Sequence, residues 1–216
     1  GVQRVVRTRA TAGGKGLNAA RGALGCGQTV TATGFIGGFA GDFIAAETAR
    51  LGIADAFVRV AGESRTCINI IDAGGVSTEL LESGVQVDSG QVADLQRRFV
   101  ELLARVDAVT ISGSCPEGCP DDAYAPMVRA AHAAGVPVVV ATRGRHLSAS
   151  VAAAPSVVKP NRDELAAHAG RRLDTLADVV AAGDRLRITG PRWVVVSLGA
   201  DGAIAVGPDR DLHVAA

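Results

Sequence analysis

The chain is organised around the stretch Gly13-Gly14-Lys15-Gly16-Leu17-Asn18, which starts a predicted helix that ends near Gly25. Two adjacent glycines allow backbone conformations that other residues rarely adopt, and they let a ligand approach closely. The free N–H groups of the first helical turn favour an anion or a sugar hydroxyl. A ligand-binding turn and an ordinary turn with a solvated Lys15 both fit this stretch alone. The preceding segment, Arg4–Arg9, alternates weakly and is predicted to be an edge strand.

Length and composition indicate one ordinary domain with an aliphatic core, either alone or with a small appendage. The 216 residues are 48% hydrophobic but only 3% aromatic. Lys+Arg and Asp+Glu both number 22, so no overall charge attracts nucleic acid or a membrane surface. No apolar run approaches the roughly 20 residues of a membrane span, and no signal-peptide pattern is evident. We therefore expect a cytoplasmic protein without nucleic-acid or membrane partners.

From Asp88 onward, apolar strands alternate with helices, which indicates a parallel sheet covered on both faces. Residues 56–84 differ, because short β-branched runs separated by glycines predict a small antiparallel sheet that projects from the main body. Its three runs are Phe57–Val60, Thr66–Ile71 and Ser77–Leu81, with a turn at 72–75. The strands predicted for the main sheet are 108–111, 136–140, 157–158 and 193–197, followed by a hairpin partner at 203–206.

Polar loops follow four of the predicted strands. Ligands of doubly wound sheets bind beyond the carboxyl ends of the strands, so these loops form a candidate ligand crevice. They are residues 112–118, 141–144, 159–164 and 197–202.

Other ligand motifs fit poorly. The P-loop pattern is absent. A dinucleotide pattern, G-x-G-x-x-A, occurs at Gly14, Gly16 and Ala19, but no acidic residue follows about 20 positions later. Cys115 and Cys119 have no histidine at zinc-finger spacing, so they are interpreted as small buried or loop cysteines.

Seven motifs in this order resemble the ribokinase-like (PfkB) carbohydrate kinases, and most closely their 1-phosphofructokinase and tagatose-6-phosphate kinase branch. The resemblance covers essentially all 216 residues. The motifs are Gly13-Gly14-Lys15-Gly16-x-Asn18-x-Ala20-Arg21, Gly37-Gly38, Ser64-Arg65-Thr66, Thr78-Glu79, Ser112-Gly113-Ser114-x-Pro116, Lys159-Pro160-Asn161-x-x-Glu164 and Ser197-Leu198-Gly199-x-x-Gly202.

The resemblance implies a three-layer αβα fold with a mostly parallel sheet and a small β-sheet lid, formed by about residues 1–12 and 56–84. It implies ATP-dependent, Mg²⁺-supported phosphorylation of a ketohexose phosphate such as fructose 1-phosphate or tagatose 6-phosphate. A kinase of an unphosphorylated sugar and a non-catalytic sugar-phosphate or nucleotide binder remain alternatives. Lid sheets in this family often pair between subunits, so a homodimer through the lid is expected.

The resemblance also assigns site residues. The substrate would meet Gly13, Gly14, Lys15, Asn18, Arg65 and Ser114. The nucleotide would meet Lys159, Asn161, Ser197, Gly199 and Gly202, and Mg²⁺ would be organised through water by Asn161 and Glu164. Structural roles are the alternative for some of them: Arg65 as a solvated residue, Ser114 as a turn-stabilising serine, and Asn161 with Glu164 as a helix capping box.

The sequence departs from the family pattern in two respects. Ala141 replaces a family Asp, which weakens the magnesium network unless Arg143 marks a different use of the pocket. The Asp-Thr-x-Gly-Ala-Gly-Asp run with the catalytic Asp is absent, as is the first strand with a sugar-binding Asp. We therefore expect no catalytic residue within 1–216, the family Asp lying beyond Ala216, and a chain that is incomplete at both ends and inactive by itself.

Overall fold

A computed structural model describes Val2 and residues 4–216, and the chain forms two compact units, Gly1–Gln86 and Val87–Ala216. The elements of the first unit are α1 Lys15–Gly25, β1 Thr31–Ala32, β2 Phe35–Ile36, α2 Gly38–Arg50, β3 Ala54–Asp55, β4 Val58–Arg59, β5 Cys67–Ile71 and β6 Ser77–Leu81. Those of the second unit are α3 Ser89–Leu103, β7 Val109–Ser112, α4 Ala125–Ala133, β8 Val138–Ala141, α5 Gly144–Val151, β9 Val157–Val158, α6 Arg162–Ala169, α7 Leu176–Arg187, β10 Trp193–Ser197, β11 Ala203–Val206 and β12 Asp211–Val214.

A small apolar cluster holds the first unit together. β1 pairs in parallel with β3, and β2 pairs in parallel with β4. Leu17, Ala20 and Leu24 recur at helical spacing along α1, so one face of that helix packs on the cluster. The buried members are Ala20, Ala32, Ile36, Ile53 and Phe57.

Two sequence predictions for this unit are wrong. Arg4–Arg9 forms no strand, because its side chains are all exposed and no described residue pairs with its backbone in a ladder. The predicted three-run antiparallel sheet is a two-stranded hairpin, β5–β6, because Val58–Arg59 pairs with Phe35–Ile36 instead. Of the predicted lid segment 1–12, Gly1 and Gln3 lie outside the described residues.

The predicted turn of the hairpin is confirmed. The Asp72 carboxylate accepts hydrogen bonds from the N–H groups of Gly74 and Val76 at 2.8 and 2.9 Å. This self-bonding geometry is typical of Asp at the start of a turn, and it sets the register in which Ile68 lies opposite Leu80.

The second unit is built on a six-stranded sheet in the order β12-β11-β10-β9-β8-β7. The strands β7 to β10 run parallel, while β11 and β12 are antiparallel, which confirms the predicted mostly parallel sheet and its terminal hairpin partner. Valines at alternate positions of β8 and β10 are at most 1% exposed. Across the described part of the chain, every helix is too short or too polar to span a bilayer.

Gly183 sets how closely α7 packs on the sheet. A Cβ atom at this position would lie 2.9 Å from Val206 Cγ2 in β11. Gly22 in α1 is the matched opposite, because a Cβ there would meet nothing within 4 Å.

We predict that Gly183→Ala lowers the free energy of unfolding, because overpacking a core costs about 1–3 kcal/mol. That cost exceeds the roughly 1 kcal/mol by which alanine is favoured over glycine in a helix. Denaturant unfolding followed by the fluorescence of Trp193, the single tryptophan, measures the change. Gly22→Ala is the control, and circular dichroism should show it to be neutral or slightly stabilising. Equal stability of Gly183→Ala and the parent chain would contradict this packing.

Candidate functional site

The turn before α1 carries the first group of predicted site residues. Gly14 is the N-cap residue, with φ 103° and ψ 155°, a conformation that residues with a side chain rarely adopt. A Cβ at Gly14 would meet nothing within 4 Å, so glycine is required here for conformation and not for space. Gly14 has no side chain to cap the helix, and the first turn contains no acidic residue. This helix start therefore suits a hydroxyl or an anion.

Arg21 holds Asn18 and the chain that leads into the turn. Its guanidinium donates to Asn18 Oδ1 at 3.1 Å and to the backbone carbonyl of Ala12, which is buried. With its oxygen engaged by Arg21, Asn18 keeps its N–H donors for a ligand hydroxyl. The sequence pattern contained Arg21 but indicated no role for it; its bond to Asn18 is an i, i+3 contact within α1, and its bond to Ala12 reaches back to the segment before the helix.

Glu63 and Ser64 attach the segment before β5 to the start of α2. Gly37 N–H donates to Ser64 Oγ at 3.0 Å, and Ser64 N–H donates to the Gly37 carbonyl at 2.9 Å. The Glu63 carboxylate accepts from the N–H groups of Phe39 and Ala40, at the positive end of the α2 dipole. Sequence reasoning missed Glu63, since nothing local marks it as a capping group for a helix that begins 25 residues earlier.

Arg65 follows this anchored segment, and its side chain is exposed. It forms no ion pair with any residue that the structure describes, whereas Arg59 pairs with Asp42 at 2.6 Å. The N–H of the next residue, Thr66, donates to Glu82 at 2.8 Å, so the backbone is tethered on both sides of Arg65. A guanidinium held in this way, without a carboxylate partner, can bind a phosphate through two N–H groups.

In the second unit, the loops after β7 and β8 are joined at the Gly113 carbonyl. That oxygen accepts from Thr142 Oγ1 at 2.8 Å and from the Tyr124 hydroxyl at 3.4 Å. Gly113 N–H in turn donates to the Ala141 carbonyl at 3.0 Å. Thr142 is only 1% exposed, and its role was not predicted. The contact fixes the backbone on which Ser114 stands.

A cavity of about 700 Å³ lies at this edge of the sheet. Ser114 and Thr142 line it from the β7 and β8 loops, Arg143 and His146 from the start of α5, and Glu164 from α6. The structure therefore brings Ser114 and Glu164 around one space, although the sequence assigned them to different ligands.

Asn161 and Glu164 form a capping box at the start of α6. Glu164 N–H donates to Asn161 Oδ1 at 2.7 Å, and Asn161 N–H donates to Glu164 Oε2 at 3.0 Å. Equivalent boxes start α3, with Asp88 and Gln91, and α7, with Thr175 and Asp178. The capping box is therefore a structural feature that three helices share. The box of α6 differs from the other two in that its Glu164 lines the cavity.

The loops after β9 and β10 lie side by side. Ser197 N–H donates to the Pro160 carbonyl at 3.2 Å, and Asn161 forms a parallel bridge with Ser197. Lys159 is exposed and forms no ion pair with any described residue. The structure thus groups Lys159, Asn161 and Ser197 at neighbouring strand ends, and their role in a nucleotide site stays a prediction.

The two glycines after β10 differ in what requires them. Gly202 has φ 86°, and a Cβ there would lie 1.9 Å from the Val214 carbonyl of β12, so this glycine is needed for strand packing. Gly199 has φ 65° and open space around it. Only Gly199 leaves room for a ligand to approach the backbone. Arg162 and Asp201 bridge α6 to this turn at 3.6 Å.

The donor set near the cavity does not form a metal site made of protein alone. Among the described residues, no group of three or more His, Cys, Asp or Glu side chains is placed to bind a metal ion. Ala141, where the resemblance leads one to expect an Asp, is buried and supplies no carboxylate. Magnesium keeps several waters and needs few carboxylates when phosphates also bind it. Glu164 at the cavity fits a hydrated ion of that kind.

Comparison with known proteins supports the resemblance. The family described as "pfkB family carbohydrate kinase" matches residues 1–216. Escherichia coli phosphofructokinase-2 in complex with fructose-6-phosphate is 28% identical, with a TM-score of 0.85 over 94% of this chain and 68% of that chain. The same enzyme has been solved as a tetrameric inhibited form.

A possible 1-phosphofructokinase from Thermotoga maritima is 31% identical, with a TM-score of 0.85 over 98% of this chain and 69% of that chain. Ribokinase from Giardia lamblia is 18% identical and has a TM-score of 0.70 over 91% of this chain and 63% of that chain, which shows the fold alone. The predicted ribokinase-like fold and the predicted family branch are both confirmed.

Proposed function

Because the chain belongs to the pfkB family of carbohydrate kinases, and is therefore a sugar kinase, we propose that it phosphorylates a ketohexose phosphate with ATP. Fructose 1-phosphate and tagatose 6-phosphate are the proposed acceptors. The observation that carries this choice is Arg65, a tethered and exposed guanidinium without a carboxylate partner among the described residues. The solved neighbour that binds fructose-6-phosphate supports a phosphorylated acceptor.

The first unit supplies most of the substrate contacts. Gly13, Gly14 and Asn18 bind the sugar hydroxyls through backbone N–H groups and one side-chain amide. Lys15 and Arg65 bind the phosphate that the substrate already carries, and Arg65 does so through two parallel hydrogen bonds. Ser114 of the second unit contributes a hydroxyl.

The second unit supplies the nucleotide contacts. Lys159, Asn161, Ser197 and Gly199 are assigned to ATP, with Lys159 neutralising phosphate charge, whereas Gly202 is reassigned to packing against β12. Glu164, with Asn161, orients waters of a Mg²⁺ ion. When bound, that ion neutralises charge on the nucleotide phosphates during transfer. No residue of this chain is assigned as the catalytic base, since the sequence contains no Gly-Ala-Gly-Asp run.

Arg65→Ala tests the substrate class. A hydrogen bond to a charged group contributes about 1.5–3 kcal/mol, so the variant should bind fructose 1-phosphate or tagatose 6-phosphate about 10- to 100-fold more weakly in calorimetry. Arg59→Ala is the matched control, because Arg59 is already paired with Asp42. Affinity for unphosphorylated fructose should not change in either variant.

A sugar-phosphate affinity that Arg65→Ala leaves intact would favour the kinase of an unphosphorylated sugar instead. Binding of both ligands without ADP release in a coupled assay of the natural protein would favour a non-catalytic binder.

Glu164→Gln separates the structural role of this residue from its metal role. Glutamine serves at the same position of the α3 capping box, so the variant should unfold at the same denaturant concentration as the parent chain. Losing the charge should raise the Mg²⁺ concentration needed for ATP binding by about 10-fold or more. Calorimetric titration of ATP at several Mg²⁺ concentrations measures the shift.

Asp178→Asn is the control for that experiment, since it changes the same box position in α7, away from the residues that line the cavity. If the two variants need the same Mg²⁺ concentration for ATP binding, Glu164 does not take part in the metal site.

We assign the β5–β6 hairpin, within the predicted lid segment 56–84, to a lid that binds a second copy of the chain, whereas Phe57 and Val58 belong to the buried body of the first unit. Every residue of β5 and β6 is exposed, and Ile68, Ile70 and Leu80 share one face through their cross-strand register. A tetrameric form is known for the Escherichia coli neighbour, so self-association has a precedent among the solved relatives.

Ile70→Asp should therefore weaken self-association in sedimentation equilibrium. Val100→Asp is the matched control, because Ile70 and Val100 are both 53% exposed and Val100 lies on α3. A parent chain that stays monomeric at high concentration would disprove the hairpin interface.

A further inference from the structure

Cys115 and Cys119 form a thiol pair in the loop between β7 and α4. Both are free and half-buried, whereas Cys26 and Cys67 are exposed. The Cys119 N–H donates to the Pro116 carbonyl at 3.3 Å, so a tight turn folds the chain back on itself. The turn thereby brings the Cys119 thiol next to the Cys115 sulfur, close enough for the two groups to influence each other's pKa.

The protein holds this turn in place. Gly118 has φ 90°, and a Cβ there would lie 1.9 Å from the Val87 carbonyl, so the turn is pressed against the chain that enters α3. Cys115 packs against the main hydrophobic core of the second unit. The positions of the two cysteines are therefore set by contacts with the segment before α3 and with the hydrophobic core.

The two thiols differ in character. Tyr124, which is 9% exposed, donates to the Gly113 carbonyl at 3.4 Å, two residues before Cys115, and its ring lies 5.7 Å from that of His146. The neighbouring Cys119 thiol lowers the pKa of the Cys115 thiol, although burial opposes the shift. The neighbouring Cys115 sulfur and burial both raise the pKa of Cys119. Cys115 is thus the better nucleophile of the two.

We propose that Cys115 and Cys119 are a redox modification site, at which hydrogen peroxide or an organic hydroperoxide converts the two thiols to a disulfide. The Cys115 thiolate attacks one peroxide oxygen, the O–O bond breaks, and the leaving oxygen departs as water or an alcohol. The Cys119 sulfur then attacks the resulting sulfenic acid, and the S–O bond breaks to release water. Two thiols and one hydrogen peroxide give one disulfide and two waters, and a small thiol reductant reverses the change.

The disulfide would also alter the proposed substrate site, a consequence that rests on the proposed function. Ser114 precedes Cys115 directly, and Thr142 and Tyr124 hold the carbonyl of Gly113 on its other side. A disulfide between Cys115 and Cys119 would constrain the backbone that carries Ser114 from the Cys115 side. Oxidation is therefore expected to weaken sugar-phosphate binding several-fold.

The experiment exposes the folded protein to stoichiometric hydrogen peroxide, blocks remaining thiols with N-ethylmaleimide and maps peptides by mass spectrometry. Both cysteines fall in the tryptic peptide 106–129, and cleavage after Glu117 separates them. We expect this peptide to lose two hydrogens before Cys26 or Cys67 is oxidised, and to yield two linked pieces after Glu117 cleavage. Slower oxidation than at the two exposed cysteines, or a disulfide to either of them, overturns the proposal.

Two further measurements keep the proposal testable if one of the cysteine variants fails to fold. In Cys119→Ser, Cys115 should stop at the sulfenic acid, which dimedone traps; absence of the adduct contradicts the assigned order. The unmodified protein should also bind phenylarsine oxide, which requires two adjacent thiols, and the Cys26→Ser/Cys67→Ser variant should bind it equally well. Failure to bind this arsenical would show that the Cys115 and Cys119 thiols are not adjacent, and would overturn the proposal.

Calorimetry of fructose 1-phosphate with reduced and oxidised protein tests the link to the substrate site. Equal affinities overturn that link. Reduced protein that fails to bind the sugar phosphate counts against the proposed function, while the peptide map still decides the redox site.

Discussion

Parallel pairing of β7, β8, β9 and β10 is the constraint on which the second unit depends. Because these strands run in one direction, the loops that leave their carboxyl ends emerge at one edge of the sheet. Residues that are about 50 positions apart in sequence then become neighbours, as Ser114 and Glu164 do around one cavity. The hydroxyl of Thr142, buried between two of the loops, ties them into one surface.

The first unit reaches a comparable result by different means. Its parallel pairs are only two residues long, so strand ladders contribute little order. Side-chain bonds to helix ends and carbonyls replace them: Arg21 fixes Asn18, and Glu63 with Ser64 holds the segment before Arg65. The positions of the ligand-binding residues in this unit therefore depend on those side-chain hydrogen bonds.

The sequence predicted the parts of the protein that depend on local pattern. Uniformly apolar runs predicted the main strands, and the Asp72 turn followed from its residue types. Arg4–Arg9 and Val58–Arg59 were misassigned because strand pairing is a tertiary choice that a short run does not encode. The motifs placed Asn161 and Ser197 together, but Thr142 and Glu63 act through contacts with residues more than 20 positions away. The turn that brings Cys115 and Cys119 together is local, and their spacing alone did not indicate it because the same spacing fits several backbone conformations.

The exposed β5–β6 hairpin carries a liability for the isolated chain. A two-stranded ribbon leaves hydrogen-bonding groups unpaired along its outer edges, and such edges nucleate aggregation. Asn69 lies opposite Glu79 and interrupts one face with polar side chains, while the face with Ile68, Ile70 and Leu80 is apolar. The charge of Glu79 thus disfavours the stacking of a second sheet on the polar face. The solubility of the chain at high concentration depends on whether the apolar face is covered.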